Sequence, residues 1–163
     1  MSQTYPLPSE PPTLSGFQAW AYSAMGIPET VIPPGSQWFS YAFNVAVSVV
    51  STQLACAAGP IYMLAVYNLG GDNLINWAQD PSPPVLYPGT NEPYLQHLRA
   101  EFKINNFVPG VVSSSGDETT NTSLEVIAAL KELTIGQLGN LKTPWGRQYL
   151  AFAQDTGPIW GLS

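Results

Sequence analysis

The feature that most constrains this chain is a long segment without charge: no Asp, Glu, Lys, Arg or His lies between Glu29 and Asp72. Such a segment is covered by neighbouring helices, by other subunits or by lipid. A membrane-spanning helix needs about twenty consecutive apolar residues. Polar residues such as Asn44 interrupt this segment, Gly59-Pro60 divides it, and no Lys or Arg flanks it to set an orientation. The pattern favours buried helices, and a membrane hairpin across 38–69 is the alternative.

The composition indicates a single domain whose surface is covered by other protein chains. The 163 residues suffice for one domain with its own core. Only 10% of the residues are charged and 45% are hydrophobic, whereas an ordinary soluble domain has about 25% charged residues. The net charge is −6, which argues against nucleic acid as a ligand because phosphate binding needs clustered Lys and Arg. The five basic residues are scattered along the chain: Arg99, Lys103, Lys131, Lys142 and Arg147.

Two features of the N-terminal half bear on where the protein works. The single cysteine, Cys56, lies between alanines, which predicts a small buried side chain, a reducing compartment and no internal disulfide. Met1–Tyr5 lacks the positive and apolar regions of a signal peptide, so we expect the protein to stay where it is made. Residues 1–13 are predicted to form an extended arm because they are rich in proline.

Apolar spacing and capping residues predict a mainly α-helical fold, a bundle of four to five helices within residues 14–155. The first helix is expected over 14–25, where an aromatic stretch ends at a glycine. Ser36 is suited to be the N-cap of a long second helix that runs to Ala58. The β-branched residues over 45–50 leave a strand as the alternative for that run.

The remaining elements are placed by proline, glycine and apolar periodicity. Pro60 suits the first turn of a third helix over 60–69. A proline-rich surface loop follows over 81–89, and another helix is expected over 93–104. Residues 107–122 are predicted to be a Ser/Gly loop or a short β-hairpin. A further helix is expected over 123–133.

No residue pattern in the sequence is typical of a catalytic or metal site. His97 is the only histidine, and Cys56 has no nearby charge that would activate its thiol. The pairs Asp72-Asn73 and Asp117-Glu118 are isolated, so they do not resemble a calcium or zinc site. Gly70-Gly71 lacks the spacing of a phosphate loop and predicts a helix kink or close helix packing. We therefore expect no cofactor and no enzymatic activity, with a carboxylate pair assembled by folding as the open alternative.

The C-terminal third contains residues that mark the start of a last helix. Thr143 is suited to be an N-cap and Pro144 to be the first helical residue. The apolar face of this helix is formed by Trp145, Tyr149, Leu150 and Phe152. An extended C-terminal tail is predicted over 156–163.

Three segments in this order resemble the head-to-tail connector, or adaptor, family of tailed bacteriophages. They are the helical run 62–69, the loop 110–117 that ends in Gly-Asp, and the Thr-Pro-Trp-Gly step that opens 143–150. The chain departs from the family pattern in two places. It lacks an Ala-His-Leu-Leu run at 68–71, and its proline-rich arm has no counterpart.

The resemblance implies a structural virion protein that forms a ring, commonly a dodecamer, in the neck between head and tail. Its partners would be further copies of itself, the portal protein, and tail or further connector proteins. It would assemble in the host cytoplasm and bind neither a specific nucleic acid sequence nor a membrane. Neighbouring copies would cover the charge-poor surface. Alternatives are a capsid decoration protein, a tail-completion protein, or a small membrane protein.

The resemblance also implies two contact segments on either side of the last two helices. The loop would touch an adjacent subunit or ring, and apolar anchors in the tail would dock onto the portal or another connector. The loop residues are Val111, Val112, Ser113, Ser114, Ser115, Gly116 and Asp117, and the tail residues are Pro158, Ile159, Trp160 and Leu162.

Overall fold

The computed structural model describes residues 11–106, 115–117, 120–122 and 139–156, and this part of the chain is mainly α-helical, as the sequence predicts. Its helices are α1 (Leu14–Ala24), α2 (Gln37–Val49), α3 (Gln53–Ala57), α4 (Gly59–Trp77), α5 (Tyr94–Glu101) and α6 (Pro144–Thr156), with a 3-10 turn at Ile104–Asn106. Two short strands, β1 (Ser115–Asp117) and β2 (Thr120–Thr122), pair antiparallel.

The central element of the described residues is α4. It packs against each of the other five helices, and most extensively against α2 and α6. Every residue over 62–75 is buried except Leu64. A helix that is apolar on nearly all sides needs cover on all sides. Along α4, the chain itself covers its charge-free segment.

An aromatic cluster fixes α1 against α2 and α4. The ring of Phe17 lies 5.9 Å from the rings of both Phe39 and Phe43, and 5.8 Å from that of Tyr67. Trp20 adds a stacked contact with Phe17 at 6.2 Å. Aromatic pairs at such distances each contribute about 0.5–1.5 kcal/mol beyond the area that they bury. The three helices therefore share one core.

The two glycines in the middle of α4 let α1 approach closely. A Cβ atom at Gly70 would lie 3.0 Å from the ring of Phe17, and one at Gly71 would lie 3.0 Å from Trp20 and from the sulfur of Met25. Glycine weakens a helix by about 1 kcal/mol relative to alanine, and the close packing of α1 offsets that loss. The sequence-based expectation of close helix packing here is confirmed.

The second helix starts as predicted but ends early. Ser36 accepts a hydrogen bond from the backbone N–H of Trp38, and α2 begins at Gln37. The prediction of one helix running to Ala58 is wrong, because the backbone becomes extended at Val50 and α3 starts at Gln53. Two physical causes act together. The β-branched valines lower helix propensity, and the Ser51 hydroxyl accepts from the N–H of Gln53, which starts a new turn.

The prediction that Cys56 is buried is also wrong. Its side chain is exposed on α3, whereas Leu54 of the same helix is fully buried. Residues two apart on a helix point about 200° away from each other. Because Leu54 faces the core, Cys56 faces outward.

The predicted starts of the helices at Pro60 and Pro93 are close to the observed ones, whereas α4 ends later than predicted. Pro60 lies in the first turn of α4, which continues past the predicted end at Leu69 to Trp77. The helix expected from Pro93 is α5, which ends at Glu101, before a residue with positive φ, Lys103. Residues 81–89 form no helix, in accordance with the predicted loop.

Several predicted segments fall outside the described residues. These are most of the N-terminal arm, the loop residues 111–114, the helix at 123–133 and the tail at 157–163. Within the described part of the chain, no helix is both long and apolar enough to cross a membrane.

Candidate functional site

One face of α2 is covered by the rest of the protein. Phe39, Ala42 and Ala46 on this face are fully buried. These residues recur at the three- and four-residue spacing that places side chains on one side of a helix. They face the core, where α2 packs against α4 and α1.

A second apolar face of α2 is exposed. Tyr41, Val45 and Val49 are 53%, 40% and 53% exposed, and their four-residue spacing places them in one row along the helix. We call this row the α2 stripe. The half-buried Trp38 extends it by one turn, since its ring meets that of Tyr41 edge to face at 6.2 Å. Single exposed apolar residues are common on soluble proteins. A continuous row on one helix is the pattern of a contact surface.

The surroundings of the α2 stripe make it inexpensive to remove from water. α2 contains no charged residue. The exposed Ser48 donates its hydroxyl proton to the backbone oxygen of Asn44 at 2.7 Å, so this hydroxyl already has a partner within the helix. Desolvating charged or unpaired polar groups is a major cost of association. A contact on the stripe therefore requires no charged side chain of α2 to be desolvated.

Other exposed apolar residues lie singly on different elements. Leu64 on α4, Trp77 at the end of α4 and Leu86 in the following loop are 37%, 42% and 49% exposed. None of them has an exposed large apolar neighbour four residues away among the described residues. The α2 stripe is therefore the candidate site with the best-defined geometry.

A buried carboxylate, Asp72 of α4, joins α4 to the start of α6. Its Oδ1 accepts a hydrogen bond from the hydroxyl of Thr143 at 2.5 Å. The same hydroxyl accepts from the N–H of Gly146 at 3.0 Å, which makes Thr143 the predicted cap of α6. Burial raises the pKa of Asp72 from 3.8 to about 6, although hydrogen bonds from Thr143 and Asn76 and the charge of Lys142 act in the opposite direction.

The start of α6 also requires a glycine. A Cβ atom at Gly146 would lie 2.0 Å from the backbone oxygen of Asn140 and 2.8 Å from Oδ1 of Asp72. A carboxyl with a pKa near neutrality is suited to acid/base chemistry. Here Asp72 is 2% exposed and Thr143 is fully buried, so a substrate has no access to the carboxyl. The arrangement holds two helices together.

A second polar connection links the end of α4 to the start of α5. Both oxygens of Asp80 accept from backbone N–H groups at the start of α5, those of Leu95 at 2.8 Å and Gln96 at 3.2 Å. In return, Arg99 of α5 donates to the backbone oxygens of Ile75 and Ala78 at the end of α4. The negative charge of Asp80 lies at the N-terminus of α5 and the positive charge of Arg99 lies at the C-terminus of α4, where the helix dipole favours each of them. Burial lowers the pKa of Arg99, and the charge of Asp80 opposes that effect.

The only histidine has structural partners. Nδ1 of His97 lies 2.8 Å from Oε2 of Glu92, and its ring stacks on that of Tyr87 with the centroids 4.0 Å apart. Neither partner is a Ser, Thr or Cys side chain that the imidazole could activate as a nucleophile. Among the described residues, no three His, Cys, Asp or Glu side chains are grouped so that they could hold a metal ion.

The predicted contact segments are described only in part. Ser115, Gly116 and Asp117 form β1, and they pair with Thr122, Asn121 and Thr120 respectively. The remaining loop residues lie outside the described part of the chain, as do Pro158, Ile159, Trp160 and Leu162. The roles predicted for both segments stay predictions.

Sequence reasoning did not single out the α2 stripe. The sequence predicted two helices that neighbouring helices or subunits bury on most sides, without indicating which side stays exposed. A separate signal was available, because apolar residues on α2 occupy about two thirds of the helix circumference, which is more than one neighbouring helix covers. Comparison of the chain with protein-family models, with curated proteins and with solved structures gives no match.

Proposed function

We propose that the protein is a non-enzymatic structural subunit that assembles with further copies of itself, and that its place is the head-to-tail connector of a tailed bacteriophage. The observation that carries the first part of this proposal is the exposed α2 stripe in a chain of low charge. The second part rests on the resemblance of the three segments at 62–69, 110–117 and 143–150.

The charge distribution favours contact between copies. Each copy carries a net charge of −6, so two copies repel each other wherever their charged surfaces meet. The α2 stripe lies in the segment without charge between Glu29 and Asp72. A contact that includes this stripe therefore removes no charged side chain of α2 from water.

In this proposal the fold is a bundle of four to five helices with a loop or hairpin over 107–122 and an extended C-terminal tail. A closed ring uses a heterologous contact, in which the stripe of one copy meets a different surface of the next. The loop at 111–117 and the tail anchors Ile159, Trp160 and Leu162 then serve the portal or a further connector. The protein would assemble in the host cytoplasm and work in the neck of the virion.

In this proposal the buried polar side chains hold neighbouring helices together. Asp72 with Thr143 fastens α6 to α4, and Asp80 with Arg99 fastens α5 to α4. None of these four residues requires a substrate or a cofactor for its role.

The proposal is tested by measuring the mass of the purified protein in solution and by locating it in purified phage particles. We expect a multimer in solution, and we expect the protein in the neck of the particle. A protein that is strictly monomeric and absent from virions would contradict the proposal. Density on the capsid surface would instead identify a decoration protein, and density at the distal end of the tail a tail-completion protein.

The role of the tail is tested separately by deleting residues 157–163. We expect assembly to weaken while the melting temperature stays within about 2 °C of the wild type, because the deleted segment follows the last helix. Assembly and melting temperature that both stay unchanged would remove the tail from the mechanism. A deletion at the other terminus, of residues 1–10, is the matched control.

A further inference from the structure

The attachment of α6 is different from that of α1 and α2. Among the described residues, α6 packs extensively only on α4, whereas α1, α2 and α4 all pack against one another. One aromatic contact, between Trp145 and Phe102 at 5.5 Å, adds to this attachment. Removing α6 from α4 leaves the contacts among α1, α2 and α4 intact.

The polar group at the centre of this attachment changes charge with pH. Asp72 and Thr143 are both buried, and the Thr143 hydroxyl lies between the carboxylate and the N–H of Gly146. Buried polar groups of this kind regain their hydration when a segment opens. The α4–α6 contact therefore contains groups that favour its opening.

We propose that Asp72 and Thr143 form a proton-dependent latch, which lets α6 separate from α4 at neutral pH while α1, α2 and α4 stay folded together. The proposal stands whether or not the protein is a connector. Opening uncovers the inner face of α6, which is formed by Tyr149, Leu150 and Ala153.

The direction of the pH effect follows from the burial of Asp72. Burial raises its pKa from 3.8 to about 6 in the docked state, and hydration of the open state returns the pKa towards 3.8. Between these two values the docked state binds more protons than the open state. Docking is therefore strongest below about pH 4. It weakens as the pH rises to about 6 and changes little above that value.

Few other charged groups act on this site among the described residues. Lys142, just before α6, is the one whose charge affects Asp72, and it favours the ionised form. Arg147 of α6 donates to the backbone oxygen of Leu141, and Asp155 lies exposed towards the far end of α6. α1, α2 and α3 contain no acidic or basic side chain. On α5, His97 pairs with Glu92, and Arg99 donates to backbone oxygens at the end of α4. Glu101 is exposed.

The experiment is amide hydrogen exchange on the full chain, reported as protection factors so that the intrinsic pH dependence of exchange cancels. Amides of α6 are compared with amides of α2 in the same molecule. We expect α6 to open more readily than α2, since local opening needs less free energy than global unfolding. Its opening equilibrium should rise about 25-fold between about pH 4.5 and about pH 7.5, as the two pKa values require.

Two variants assign the effect to the latch. Asp72→Asn keeps the shape of the side chain and removes the titration, so the rise in α6 opening should disappear. Thr143→Val removes the hydroxyl and should increase α6 opening more at the higher pH, where the carboxylate is ionised. Thr143→Ser is the conservative control that should retain the wild-type profile.

The latch is overturned if α6 amides open with the same equilibrium constant as α2 amides, because opening would then be global. It is equally overturned if Asp72→Asn keeps the wild-type rise with pH. If Asp72→Asn does not fold, the two Thr143 variants are compared instead. The proposal is contradicted if α6 opens with the same pH dependence in Thr143→Val and in Thr143→Ser.

Discussion

The two long charge-poor helices, α2 and α4, differ in how much of their apolar surface the chain itself covers. α4 is surrounded by other helices and places polar residues inside, where Asp72 fastens α6. α2 has one buried face and leaves Tyr41, Val45 and Val49 exposed. A charge-free sequence therefore does not reveal whether its cover comes from the same chain or from another one. The packing of each helix decides that question.

The largest effect is expected at the contact of α4 with α6. Gly146→Ala places a Cβ atom against the backbone oxygen of Asn140, which cannot move aside as a side chain can. Overpacking of this kind costs about 3 kcal/mol of unfolding free energy, to be measured by denaturant titration. Gly139→Ala is the matched control, because a Cβ atom there meets nothing within 4 Å. Equal losses for both variants would contradict the close fit.

The next effect concerns the face of α4 that meets α1. Gly70→Ala pushes a methyl group against the ring of Phe17, which can shift slightly. The gain in helix propensity offsets part of the strain, so we expect a net loss of about 1–2 kcal/mol in unfolding free energy. Gly35→Ala, where a Cβ atom meets no neighbour, is the control. A stabilised Gly70→Ala variant would show that α1 is free to move away from α4.

A smaller effect is expected where α4 meets α5. Asp80→Ala removes the side chain that accepts from the N–H groups of Leu95 and Gln96. Loss of a helix cap costs about 1 kcal/mol, which thermal unfolding followed by circular dichroism can detect. Asp80→Asn retains an acceptor and should recover most of the loss. If both variants melt like the wild type, Asp80 does not stabilise the fold.

The smallest effect on the stability of the single chain is expected on α2. Val45→Glu replaces an exposed side chain, so we expect the unfolding free energy of the monomer to change by less than about 0.5 kcal/mol. A larger loss would mean that the chain itself covers the stripe. In that case α2, like α4, would be covered by its own chain, and the two helices would not differ.

Much of the fold follows from local sequence signals. Thr143 and Ser36 cap helices because their hydroxyls reach backbone N–H groups two or three residues on, and this geometry is local. Pro60 and Pro93 mark helix starts for a similarly local reason. The break after Val49 was not predicted, because β-branched valines and a serine hydroxyl weaken a helix without excluding one.

The candidate site was harder to predict than the fold. The hydrogen bond between Asp72 and Thr143 joins residues far apart in the chain, and no local pattern pairs them. Cys56 was misplaced because its alanine neighbours say nothing about which side of α3 faces the core. The α2 stripe needed the positions of α1 and α4, since only they determine which of two apolar faces of α2 stays exposed.

The central claim, that the α2 stripe holds copies of this chain together, is tested most directly by light-scattering masses of three proteins at equal concentration. We predict that the wild type and Ser23→Glu give the same multiple of 17.6 kDa, because Ser23 is exposed on a different helix, α1. Val45→Glu should give the monomer mass, since a charge in the contact would be buried without a partner. Equal masses for the wild type and Val45→Glu, whether multimer or monomer, would contradict the account.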